Sequence, residues 1–321
     1  MIKPAVLAVL ATTAALGSIS GAFAQTYPAK PVRMVVPFLT GGNTDRIARA
    51  VADSLTKTFN QQFVIDNRPG AGGAIGTEAV AKAAPDGLTL LTCAVGFVIT
   101  PHLQKVNYDP FKDFVPISNL GSNSSVLAVH TSVPAKSLRE FIEYAKANPG
   151  KVTYGSAGNG SFSHITTAMF AARAGLTLVH VPYKGGPQAT ADLVGGQLKS
   201  YFGNAPDVVP HAKNGRLVLL AVSSEKRDKA LPDLPAVGEL YPGFRALAWN
   251  GFLAPAGTPK GIIDRLAQEV QKAMRDPAMV ARLDQMAVDA IGSTPQEFAE
   301  LIRHDYKTYG DVVKSVGLSG G

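Results

Sequence analysis

VRMVVPFLTGGNTDRIARAVADSLTKTF, residues 32–59, reads as a strand, a glycine turn and a helix, and the rest of the chain is built around it. Val32, Met34, Val35 and Val36 form a short apolar run stopped by Pro37, the pattern of a buried strand. Gly41 and Gly42 let the backbone reverse sharply, and Asn43 or Thr44 suits a helix cap, with Asp45 a second capping candidate or a partner for a ligand amine or hydroxyl. Ile47, Val51 and Leu55, joined by Ala48, Ala52 and Phe59, recur at helical spacing, so one face of that helix is buried. A helix that begins at a strand end presents unpaired N–H groups and positive partial charge, which suits an anion without any cationic side chain. Alone, the Gly-Gly pair accounts for a turn and nothing more.

A second glycine loop, YGSAGNGSFSH at residues 154–164, shifts that balance. Ser156, Ala157, Gly158, Asn159, Gly160, Ser161, Ser163 and His164 combine close backbone approach, short hydroxyls and the start of another helix, parts for holding carboxylate oxygens with neutral donors. Phe38 and Phe162 flank the two loops, as cleft walls or as core anchors.

Elsewhere strands at about 63–66, 88–92, 115–120, 126–129, 152–154, 178–181, 198–202, 217–222 and 247–253 alternate with helices. This predicts an α/β protein with parallel or mixed sheets flanked by helices. Residues 101–114 read as irregular, around Asn107-Tyr108-Asp109-Pro110. Thr258-Pro259 opens a helix to about residue 275, and Thr294-Pro295-Gln296-Glu297 is a capping box opening a last helix. Two stretches, 115–126 and 243–254, are placed as crossovers. They divide the chain into one domain of 26–120 plus 248–321 and a second of 121–247. Each domain then carries one glycine loop at a strand's carboxyl end, where ligands of open α/β sheets bind, so the expected shape is a clamshell.

Residues 1–24 stand apart. Lys3, an apolar run at 5–16 and Ala22-Phe23-Ala24 make a secretory signal peptide, predicting export and a mature chain that starts at Gln25. The formal charge of +7 is spread along the chain with no basic cluster, which argues against nucleic acid as a partner. The single Cys93 sits in LTLLTCAV and reads as a buried inert thiol. No H-E-x-x-H and no zinc spacing occurs, so neither metal nor cofactor is expected. GAGGAIG at 70–76 lacks the G-x-G-x-x-G spacing and is separated from its strand, which makes it a tight turn into a helix of small residues. No G-x-S-x-G elbow surrounds Ser161 or Ser163, and a triad is not read from the adjacency of His164.

PVRMVVPFLTGGNTDRIAR, VIDNRPGAGGAIG, AAPDGLTLL, NYDPFKDFVPI, YGSAGNGSFSH and VPYKGGPQATADLVGGQ follow one another in the order that resembles the Bug receptors, the TctC-like substrate-binding proteins of tripartite tricarboxylate transporters. The resemblance covers nearly the whole chain after the signal peptide. It implies a two-domain periplasmic binding protein of Venus-flytrap type without catalysis, docking transiently to membrane permease subunits. It places ligand contacts at Phe38–Asp45 and Ser156–His164, and puts the segment from Tyr183 to Asp192 beside the cleft. Leu39-Thr40 departs from the small residues or proline common there. The reading is therefore a monomeric periplasmic receptor for a small organic acid. Its alternatives are a subunit that presents ligand to a membrane kinase, or an exported hydrolase using Ser161 or Ser163.

Overall fold

The computed structural model describes residues 27–318, so the expected signal peptide and its cleavage site lie outside the described residues. The chain builds β1 (Val32–Val36), α1 (Asn43–Phe59), β2 (Phe63–Asn67), α2 (Ala74–Ala81), β3 (Thr89–Ala94), α3 (Gly96–Leu103) and β4 (Phe114–Asn123) before leaving its first sheet. The second sheet's segment follows: β5 (Val126–His130), α4 (Leu138–Ala147), β6 (Val152–Ser156), α5 (Phe162–Ala174), β7 (Leu178–Pro182), α6 (Gly186–Val194), β8 (Ser200–Gly203), α7 (Ala205–Lys213), β9 (Leu217–Val222) and α8 (Val237–Leu240). The chain then returns through β10 (Ala248–Pro255), α9 (Lys260–Arg275), α10 (Pro277–Asp284), β11 (Asp289–Ala290) and α11 (Pro295–Ser315).

Strand order is β11-β4-β10-β3-β1-β2 in lobe one and β7-β6-β8-β5-β9 in lobe two. β1, β2 and β3 run parallel, as do β6, β7 and β8, but β10 and β5 are antiparallel to both their neighbours. The sheets are mixed because the strands that enter each sheet from the other lobe arrive in reverse. β1 is covered on both faces: Val32, Met34 and Val36 pack with α1 and α9, while Val35 joins Leu91, Cys93 and α11 on the opposite side. That two-sided burial is why the strand reads as a continuous apolar run. Cys93 is buried, its Sγ donates to the Gly251 carbonyl, and burial pushes the thiol's pKa up, as befits an inert residue.

The two crossings run side by side, paired along the β4–β10 ladder and bridged at their lobe-two end by Ser223. The Ser223 hydroxyl donates to the Ala246 carbonyl (2.8 Å) and accepts from the Ser125 N–H (2.9 Å). Its backbone bonds both segments as well, through Ser223 N to Ser125 O and Ala246 N to Ser223 O.

Two local expectations are corrected. Residues 101–103, read as irregular, instead complete a helix that runs from Gly96 to Leu103 despite Pro101. The proline removes the donor that would meet the Phe97 carbonyl, and the Tyr108 hydroxyl takes that carbonyl instead (3.3 Å). Neither Asn43 nor Thr44 caps α1: Gly42 occupies the cap without a side-chain bond, and both residues lie inside the helix. Asp45 reaches back to accept from the Gly41 N–H (2.9 Å). The helix opened near Pro259 ends at Arg275 as its reading placed it, and α10 follows directly, started by Asp276, whose side chain accepts from Ala278 N and Met279 N. The capping box at Thr294 and Glu297 forms as its spacing requires.

Candidate functional site

Between the lobes lies a cavity of about 70 Å³. Five helices begin at it: Asn43 and Thr44 of α1, Gly96 of α3, Phe162 and Ser163 of α5, Gly186 of α6, and Asn204, which caps α7. The first N–H groups of a helix have no intrahelical acceptor, and the macrodipole adds positive potential there. Among the described residues, none that lines the cavity carries a formal charge. Phe38, Leu39, Phe162, Tyr201 and Phe202 supply its apolar walls, with Ala94, Ala157 and Ala248 between them. Phe162 also packs against the cores of both lobes, so wall and anchor are the same side chain.

Of the residues named from sequence, Phe38, Gly42, Asn43, Thr44, Ala157, Ser161, Phe162 and Ser163 meet at this cavity. Ser161 caps α5 by accepting from His164 N, its hydroxyl lies 3.2 Å from that of Ser163, and Ser163 accepts from Ala157 N (3.0 Å). The others stand behind the wall. Asp45 is buried and bonds Gly41 N, Asn67 and Arg49. Burial alone would raise its pKa, but Arg49, the Gly41 N–H and Asn67 together hold the carboxyl below its usual range. Its role is to fix the turn at Gly41, where φ is +82°.

Ser156, Gly158, Asn159, Gly160 and His164 build the other flank of the second loop. Ser156 Oγ lies 2.6 Å from His180 Nε2 and accepts from Gly158 N (3.1 Å). His164 Nδ1 accepts from Gly160 N, and its ring stacks on His180 at 4.0 Å between centroids. Burial drives both imidazoles down to about 4, so they are neutral at pH 7, with the His180 neighbour adding to the effect on His164. His164, neutral, stacked on His180 and accepting a backbone N–H, helps to pack the loop. Tyr183 and Asp192 bond each other at 2.6 Å, away from the cavity. Tyr183 N also donates to the Ser156 carbonyl, which braces the loop from outside.

Sequence reading missed several lining residues, Gly96, Ser125, Tyr201, Asn204 and Asn250, whereas Gly186 lies in the segment it placed beside the cleft. Ser125 and Asn250 sit on the crossings, Tyr201 on β8 and Asn204 at the next helix start, positions that only the tertiary fold brings together. The cap of α7 was the one available signal, since a polar residue before Ala205-Pro206 marks a helix start.

The lobes also touch directly. Gly72, from the GAGGAIG turn, approaches Asn159 so closely that a Cβ there would fall 1.9 Å from the Asn159 carbonyl oxygen. A Cβ on Gly160 would meet Thr100 Oγ1 at 2.6 Å and Thr100 Cα at 3.0 Å. The glycines thus permit lobe-to-lobe contact, a use of Gly72 beyond the tight turn read from sequence. Beside them Arg46 pairs with the buried Asp207 across the lobes at 2.8 Å. Arg46 thus ties α1 to α7 of the second lobe.

A family profile described as tripartite tricarboxylate transporter family receptor matches residues 47–318. Among solved structures, the periplasmic binding protein BugD is 34% identical with a TM-score of 0.88, over 92% of this chain and all of that one. Rpa4515 of R. palustris, solved with adipate, is 32% identical with a TM-score of 0.89, over 92% of this chain and all of its own. MatC of Rhodopseudomonas palustris, solved with bound malate, is 31% identical with a TM-score of 0.84, over 89% of this chain and all of its own. With two helix-flanked mixed sheets and a cleft between them, this chain belongs to the tripartite tricarboxylate transporter receptor family, the Bug or TctC-like receptors, and has their two-domain periplasmic binding-protein fold.

Proposed function

We propose that this protein captures a small organic carboxylate between its lobes in the periplasm and presents it to the permease of a tripartite tricarboxylate transporter. The observation that carries the reading is an interlobe cavity ringed by five helix starts and, among the described residues, lined by no charged side chain. Phe38, Gly42, Asn43, Thr44, Ala157, Ser161, Phe162 and Ser163 contact the ligand in this account. Gly41, Asp45, Ser156, Gly158, Asn159, Gly160 and His164 hold the two loops in place, and Tyr183 with Asp192 braces the second. The moving bodies are residues 26–120 with 248–321 and residues 121–247. Relatives solved with adipate and malate support the ligand class.

The cavity asks for affinity and closure, not turnover. Calorimetric titration with C3–C6 mono- and dicarboxylates, followed by NMR of the recovered ligand, tests this. At least one acid should bind and return unchanged. Failure of the whole series to bind, or chemical conversion of a bound member, would overturn the reading. Export has its own check: intact mass of the periplasmic protein should correspond to a chain starting at Gln25.

A further inference from the structure

Three asparagines beside the cavity form a directional relay. Asn204 Nδ2 donates to Asp207 (3.3 Å), and Asn123 Nδ2 donates to Asn204 Oδ1 (3.2 Å) and to the Ser124 carbonyl (2.9 Å). Asn43 Nδ2 then donates to Asn123 Oδ1 (3.2 Å). The polarity of these amides follows from chemistry. A backbone carbonyl only accepts, so the Asn123 amide nitrogen must face Ser124, and its oxygen must face Asn43. Asn43 can answer that oxygen only with its own NH₂. Its Oδ1 is therefore locked in place as an acceptor, and it has no partner within the protein. Asn43 is 6% exposed and lines the cavity. Ser125 and Asn250, each 1% exposed, line it too and also carry an unpartnered side-chain oxygen.

A buried acceptor without a donor weakens whatever state leaves it so. Helix N–H groups explain a carboxylate but leave this acceptor unanswered, since a second carboxylate would only repel it. We infer that the ligand is a carboxylic acid bearing an O–H or N–H donor on its carbon chain, a hydroxy or amino acid, and that Asn43 Oδ1 is the residue that selects it. The inference rests on the carboxylate reading above and goes further by choosing among carboxylates.

Calorimetry on matched trios separates the possibilities: succinate, malate and aspartate; glutarate, 2-hydroxyglutarate and glutamate; butyrate, 2-hydroxybutyrate and 2-aminobutyrate. In the unmodified protein, at least one donor-bearing acid should bind about tenfold or more tighter than its unsubstituted partner. The hydroxy and amino arms show which donor is taken. In Asn43→Ala the ratio should fall towards one, whatever happens to absolute affinity. Asn43→Ser, which keeps a polar residue at the helix start, serves the same end if the alanine variant folds poorly. Equal affinity within every trio, as when water satisfies Asn43, would overturn the inference while leaving the carboxylate reading intact. A preference that survives both Asn43 variants would overturn the role of Asn43. No binding by any member would remove the carboxylate reading, and this inference with it.

Discussion

The loops Phe38–Asp45 and Ser156–His164 do the same job at the start of α1 and α5, yet they distribute it differently. The first gives Phe38, Leu39, Gly42, Asn43 and Thr44 to the cavity and keeps Thr40, Gly41 and its bracing carboxylate, Asp45, out of the lining. The second gives Ala157, Ser161, Phe162 and Ser163 to the cavity and turns Gly158, Asn159 and Gly160 towards lobe one. Its glycines serve closure more than ligand approach. Glycine content alone therefore does not say what a loop touches; the neighbour that a Cβ would strike does.

The largest effect expected from this difference lies at Gly160. Gly160→Val puts a branched side chain against Thr100, so affinity for any ligand should drop about a hundredfold, through blocked closure. Scattering of the variant at saturating ligand should keep the open profile. Gly41→Ala is the counterpart in the first loop: a Cβ there meets nothing within 4 Å, and only its φ of +82° is strained. It should cost about 1 kcal/mol of stability and leave affinity nearly unchanged. Equal affinity losses at the two sites would erase the distinction.

The groups that respond to pH are His164 of the second loop and His180 of β7, which stacks on it. His164 and His180 sit near 4 in the folded protein because of burial, against about 6.5 when unfolded. Between pH 7 and pH 5 the unfolded chain takes up protons that the folded one refuses. Stability should therefore be full above about pH 6.5 and fall as pH drops towards 4, by about 2 kcal/mol at pH 5, allowing for the partial solvent contact of His180. Urea titrations at pH 7 and pH 5 measure this. His180→Asn should flatten the dependence, and an unchanged slope would mean that the stack does not titrate as described.

Much of the lobe-one loop was legible because its elements are local: an apolar run, a proline stop, a Gly-Gly turn and a helical stripe at Ile47, Val51 and Leu55. The second loop's place in the cleft followed from its position at a strand's carboxyl end, and the family resemblance agreed with it. Long-range facts were not legible. α3 was hidden because Pro101 is normally a helix breaker, and its compensation comes from Tyr108, seven residues on. The relay through Asn123 and Asn204 joins residues 80 or more positions apart from Asn43 to the crossing and then to lobe two. No spacing rule connects them.

Arg46 offers a smaller test of the same comparison, because it leaves the first loop to reach lobe two. Arg46→Ala strips the cation from Asp207, whose side chain is 4% exposed, and so penalises the closed form. About tenfold weaker binding is expected, equally for mono- and dicarboxylates, since the half-exposed arginine is partly screened by solvent. A loss confined to dicarboxylates would mean that Arg46 contacts the ligand itself.

The central claim is that neutral donors alone hold the carboxylate. Calorimetric binding enthalpy measured at pH 7 in buffers of different ionisation enthalpy reads the protons exchanged on binding. With a fully ionised ligand, the account predicts a slope of zero, because the cavity has no group to charge and both nearby imidazoles stay neutral. A slope near one proton taken up per ligand would contradict it, by showing that a histidine becomes a cation to meet the anion.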